Sequence, residues 1–122
     1  MEVYEFYEAL GENYSAVLKR IPDKEAILDM LKEYRDIDHF DELKNALDVS
    51  DYEKALLHAG ALAELSLNAG LSETAKEANC VRDAIENVSK NSDDEIMKQV
   101  LAKAFKKLDS SYVKADFMLD GL

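Results

Sequence analysis

The chain predicts an all-α fold, an up-down four-helix bundle preceded by short N-terminal helices. Three observations predict it. Four glycines and one proline punctuate 122 residues, too few for the turns of a strand-rich protein. Apolar side chains recur at helical spacing from end to end. A composition of 48% hydrophobic and 34% charged residues supplies one core and a solvated exterior, which fits one domain over residues 1–122.

Glu2 to Leu10 reads as a short amphipathic helix closed at Gly11, the residue type favoured where a helix ends in the left-handed conformation. A second short helix covers Asn13 to Arg20. Pro22 opens a third, because a first-turn proline gives up no intrahelical hydrogen bond. From Asp23 to Tyr34 this helix carries one apolar stripe of Ala26, Ile27, Met30, Leu31 and Tyr34, and Asp36 to Asp38 break the pattern. The next helix, Phe40 to Val49, gathers Phe40, Leu43, Ala46 and Leu47 on one face.

Ser50, with Glu53 three residues on, has the spacing of a capping box for a fifth helix that runs to Gly70. Ser72 is expected to cap the sixth, whose inward stripe is Ala75, Ala78, Val81, Ile85 and Val88. Ser92, with Glu95, is expected to cap the last. Its seam comprises Ile96, Met97, Val100, Leu101, Ala104, Phe105, Leu108 and Tyr112. Short connections between long helices favour antiparallel neighbours. The final residues, Asp116 to Leu122, are expected to fray.

A formal charge of -11 and a pI near 4.5 argue against nucleic acid and anionic membranes as partners, since phosphate contacts need clustered Lys and Arg. No apolar run approaches the roughly 20 residues that span a bilayer, and the N-terminus lacks the pattern of an export signal, so a cytoplasmic protein is expected. Cys80 is the one cysteine and is expected to fill a small core position. Neither nucleotide-binding glycine motifs nor a hydrolase elbow occurs, and the histidines and carboxylates are too scattered to name a metal site. The sequence therefore predicts no cofactor, no metal and no enzyme activity.

Residues 51 to 71, DYEKALLHAGALAELSLNAGL, carry the most specific pattern. This helix resembles the phosphorelay helix of the histidine phosphotransfer (HPt) domain family of two-component signalling. Leu62 matches an apolar position of that pattern, Ser66 a small one, and Asn68, Ala69 and Gly70 its ending, while Asp51 to Ala55 resemble its lead-in. Tyr7 to Ile21, YEALGENYSAVLKRI, is similar to the opening of stand-alone HPt proteins of Gram-positive bacteria. The similarity reaches Asn91, and it implies the HPt-like bundle and a partner that is a response-regulator receiver domain or a histidine kinase.

The departures from the pattern fall on the active face. Gly60 stands where the resemblance places the phosphoacceptor histidine, Ala63 where it places a lysine, and Glu64 where it places a glycine. A phosphorelay needs an imidazole nitrogen as nucleophile, and glycine offers no side chain. Ala63 brings no positive charge to a phosphoryl group, and Glu64 adds bulk and negative charge. Helical projection gathers Leu56, Gly60, Ala63, Glu64 and Leu67 on one surface, the expected docking face. Leu57 fits equally a place beneath the N-terminal helices.

His58 lies roughly 160 degrees around the helix from Gly60 and is expected to be packed, in line with Leu62 and Leu65. His39, between Asp38 and Asp41, is expected to be solvated at a helix start. The leading expectation is a degenerate HPt-like module, a monomer or weak homodimer, that binds its partner without carrying phosphate. The alternatives are an active phosphotransferase using His58 or His39, and a structural helical module outside two-component signalling.

Overall fold

The computed structural model describes residues 1–91 and 93–122. Among these residues it is helical throughout, without a strand. The helices are α1 (Val3–Ala9), α2 (Tyr14–Arg20), α3 (Lys24–Asp36), α4 (His39–Asp48), α5 (Tyr52–Asn68), α6 (Ser72–Lys90) and α7 (Glu95–Leu119). None of them is long and apolar enough to cross a membrane.

How the helices end sets how they pack. Three of them stop in the same hydrogen-bonded motif, with one residue in the left-handed conformation just past the last turn. Glu12 N–H donates to Tyr7 C=O at 2.8 Å around Gly11, Asp51 N–H to Ala46 C=O at 2.8 Å around Ser50, and Leu71 N–H to Ser66 C=O at 2.9 Å around Gly70. These bonds satisfy carbonyls that the helix leaves unpaired.

Ser50 therefore does not cap α5. Among the described residues it is the non-glycine one at positive φ, 56°, and it closes α4. The cap of α5 is Asp51, whose side chain accepts from Lys54 N–H at 3.1 Å. Ser72 does not cap α6 either, because Glu12, from the turn after α1, reaches the start of that helix from outside. Its carboxylate accepts from the Ser72 hydroxyl and from Glu73 N–H, the latter at 3.0 Å. Ser92 lies outside the described residues. Asp94 caps α7, accepting from Ile96 N–H and Met97 N–H at 2.9 and 3.2 Å.

α5 packs against α4 and α6, and α6 against α7. The pairs Glu42–Lys54 and Thr74–Ser111, at 3.2 and 2.7 Å, together with the short connections, make successive helices antiparallel. α5 is lined on its inner side by Ala55, Ala59, Leu62, Ala63 and Ser66, all but Leu62 small enough for its neighbours to approach closely. Phe40 of α4 stacks on Tyr112 and Phe105 of α7, with ring centroids 4.2 and 5.7 Å apart, and links those two helices.

α1 to α3 close over the C-terminal end of α5. The buried Tyr7 hydroxyl donates to Ala69 C=O at 2.7 Å, Arg20 donates to Asn68 C=O at 3.0 Å, and the Tyr34 hydroxyl shares a 2.8 Å hydrogen bond with Ser66. Burial pushes the Tyr34 pKa up to about 12, against the pull of the Ser66 bond, so its hydroxyl stays protonated. Gly70 sits beneath this cover at φ +78°, and a Cβ there would overlap Val17 Cγ2 and lie 3.1 Å from Tyr7 Cε1.

Three further expectations are corrected. Ile96 and Val100 are exposed, because the inward stripe of α7 runs instead through Leu101, Leu108, Ala115 and Leu119. Asp116 to Leu122 do not fray: α7 continues to Leu119, and Arg35 ties it to α3 through Asp116 and Asp120. Cys80 is exposed rather than in the core, where Ala78, Val81 and Ile85 supply the inward face of α6.

Two of the three left-handed positions among the described residues, Ser50 and Gly70, respond in opposite directions to substitution. Ser50→Gly relieves the cost of a Cβ in that conformation and should stabilise the fold by about 0.5 to 1 kcal/mol in urea unfolding. Gly70→Ala adds both backbone strain and overpacking and should cost about 3 kcal/mol. Equal effects at the two sites would contradict the packing assigned to Gly70.

Candidate functional site

α5 lies between α4 and α6, so one narrow strip of it reaches solvent. That strip runs through Glu53, Leu57, Gly60, Glu64 and Leu67, at spacings of four, three, four and three residues. Leu57 and Leu67 are 69% and 60% exposed, about 15 Å apart along the helix axis. Both are large apolar side chains turned to solvent on one helix face. Gly60 lies between them and Glu64 beside it.

Of the residues expected on the docking face, the structure exposes Glu64 and Leu67 and leaves Gly60 half-buried on the same line. Leu56 is half-buried and Ala63 only 4% exposed, on the flank covered by packing. Leu57 was the ambiguous leucine in the sequence, and it is the one that stands out to solvent. The projection alone does not say which flank the neighbours cover, because both flanks carry apolar residues.

Across from Gly60 lies Arg82 of α6. A Cβ built on Gly60 would meet Arg82 Cδ at 3.9 Å, an ordinary van der Waals contact. Packing therefore does not require glycine here, although glycine within a helix costs about 1 kcal/mol relative to alanine. Gly60 and Arg82 are equally far from Leu71, where the α5–α6 hairpin turns, as antiparallel register demands. The Arg82 guanidinium is partly exposed and lies 3.7 Å from Asp83. The strip thus presents two leucines, a flat centre, two carboxylates and a neighbouring cation, and it holds no imidazole of the kind that accepts a phosphoryl group.

The histidines are brought together on the other side of α5. His39 Nδ1 and His58 Nδ1 are 2.9 Å apart in a hydrogen bond between half-buried rings. His39 is therefore not simply solvated. The two lie nearly equal distances in sequence from Val49, so antiparallel pairing of α4 and α5 forces them to meet; that symmetry about the turn was the available signal. One ring must donate its Nδ1 proton and the other accept, which at least one neutral imidazole requires. Burial, and then the charge of His58, lower the His39 pKa from its ordinary 6.5. Among the described residues no group of three His, Cys, Asp or Glu side chains is placed to hold a metal ion.

No family profile, curated protein or solved structure matches this chain.

A histidine whose pKa is depressed by folding contributes stability that is present above pH 6.5 and lost as the pH falls through its folded value. Stability to urea should therefore decline as the pH falls below about 6.5, before most carboxylates titrate. His39→Gln should flatten the profile in that window. An unchanged slope in the variant would place the titration elsewhere.

Proposed function

We propose that this chain is a degenerate HPt-like module of two-component signalling. It binds a response-regulator receiver domain or a histidine kinase through the outer strip of α5, carries no phosphate, and acts by occupying its partner's surface in the cytoplasm. The observation that carries this reading is Gly60 at the centre of an exposed strip between Leu57 and Leu67, where the resemblance places a phosphoacceptor histidine. Supporting it, α4 to α7 pack as successive antiparallel helices, the order of an up-down four-helix bundle, with α1 to α3 over one end.

The strip has the chemistry of contact rather than transfer. Its leucines offer apolar area at the two ends, and truncating such anchors commonly costs more than 1 kcal/mol of binding. Without an imidazole at position 60 there is no atom to accept a phosphoryl group from a partner's aspartyl phosphate, and Ala63 supplies no cation to steady one.

Incubation with radiolabelled phospho-receivers should leave no acid-labile label on this chain, while a receiver or kinase forms a complex that Leu67→Asp weakens at least about tenfold. Label on the chain would overturn the reading.

A second reading, an active phosphotransferase, draws on the His39–His58 pair. The ring that donates from Nδ1 keeps a lone pair on Nε2, the requirement for a nucleophile. Under this reading label appears on the native chain and disappears in His39→Ala or His58→Ala.

A further inference from the structure

α7 is 25 residues long, and its outer side faces solvent along its whole length. The residues on that side are Ile96, Val100, Lys103, Lys107, Ser110, Lys114 and Phe117, all exposed. Their spacing is four, three, four, three, four and three. Such a line follows one face of a helix, the face that a partner helix covers in a coiled coil. A seam from Ile96 to Phe117 is about 32 Å long. Its ends are apolar, with Ile96 73%, Val100 54% and Phe117 74% exposed, and its middle is basic.

The basic middle is unexpected in a chain with 26 acidic and 15 basic residues. Among the described residues Lys24, Lys54 and Lys98 each have a carboxylate within ion-pair distance and the other lysines do not, but only on α7 do four of these, Lys103, Lys106, Lys107 and Lys114, lie along one helix. These four line a groove of about 610 Å³ along α7, opposite Glu73 and Glu77 of α6. Positive charge is thus concentrated along one helix of a strongly acidic molecule, four lysines against two carboxylates at the groove.

We propose that the outer face of α7 is a docking seam for an acidic amphipathic helix of a partner protein. Apolar side chains near that helix's two ends cover Ile96, Val100 and Phe117, and carboxylates in its middle pair with Lys103, Lys107 and Lys114. A second copy of this chain fits the seam poorly. Parallel pairing would set each of the three lysines against itself, and antiparallel pairing would still bring Lys107 against Lys107, where like charges in a seam are destabilising. Nucleic acid would gain nothing from the apolar ends and would be repelled by the acidic remainder. This seam lies on a different helix from the α5 strip and stands independently of the function proposed for that strip.

The probe is a synthetic fluorescent peptide long enough to span the seam, with leucine at its terminal seam positions and glutamate at its central ones. Fluorescence anisotropy against the intact chain should show saturable binding that weakens as salt rises, and at least about tenfold weaker binding of a scrambled peptide. Lys103→Glu with Lys107→Glu, and separately Ile96→Ser with Phe117→Ser, should each weaken binding at least about tenfold. All four side chains are exposed, so far-UV circular dichroism should be unchanged in both variants. Equal binding of the scrambled peptide, or indifference to both double substitutions, would overturn the proposal. So would sedimentation showing a dimer that Ile96→Ser with Phe117→Ser dissociates, since the occupant would then be a second copy.

Discussion

The C-terminal end of α5 is the joint on which the rest of the molecule depends. Its last carbonyls have no partners within the helix, and they are met from outside by the Tyr7 hydroxyl and the Arg20 guanidinium. An unpaired buried carbonyl costs about 1 to 3 kcal/mol, so the buried Tyr7 bond to Ala69 holds α1 over the helix end, and the exposed Arg20 bond adds a weaker tie from α2. Gly70 makes the cover possible, because its left-handed backbone turns the chain into α6 and its missing side chain admits Val17 and Tyr7. Glu12, in the turn between α1 and α2, then caps α6. One glycine, two side-chain donors and one carboxylate thereby set where the N-terminal helices sit and where the α5–α6 hairpin begins.

With that end fixed, the orientation of α5 follows. The Tyr34–Ser66 bond and the small residues Ala55, Ala59 and Ala63 seat its inner side in the core, and the His39–His58 bond holds another side to α4. What remains exposed is the line from Glu53 to Leu67. The exposed strip is thus a consequence of packing on the other sides, and Gly60 lies within it because of register. Arg82 lies alongside for the same reason, through the symmetry of the α5–α6 hairpin about Leu71.

Much of this was legible in the sequence. Helix order followed from apolar spacing and from glycine and proline, and the stripes of α3, α4 and α6 lie where the 3.6-residue period puts them. The caps were less legible, since a serine followed by glutamate is a local signal that tertiary contacts override. Ser50 closes the preceding helix instead of opening the next, and Ser72 gives way to Glu12, which lies 60 residues earlier. The stripe of α7 was read too broadly because Ile96 and Val100 are apolar but face away from every neighbour. Of the expected docking face, Glu64 and Leu67 are exposed as the projection has them, and Gly60 is half-buried between the leucines. The choice between Leu56 and Leu57 needed the positions of α4 and α6.

The claim that most needs testing is that the α5 strip is the contact surface. An isotopically labelled sample titrated with unlabelled receiver domain, and followed by amide chemical shifts, tests it residue by residue. The account predicts shifts concentrated at Leu57, Gly60, Glu64, Leu67 and Arg82, with His39 and His58 unmoved. Shifts centred on the histidine pair, with Leu57 and Leu67 silent, would contradict it.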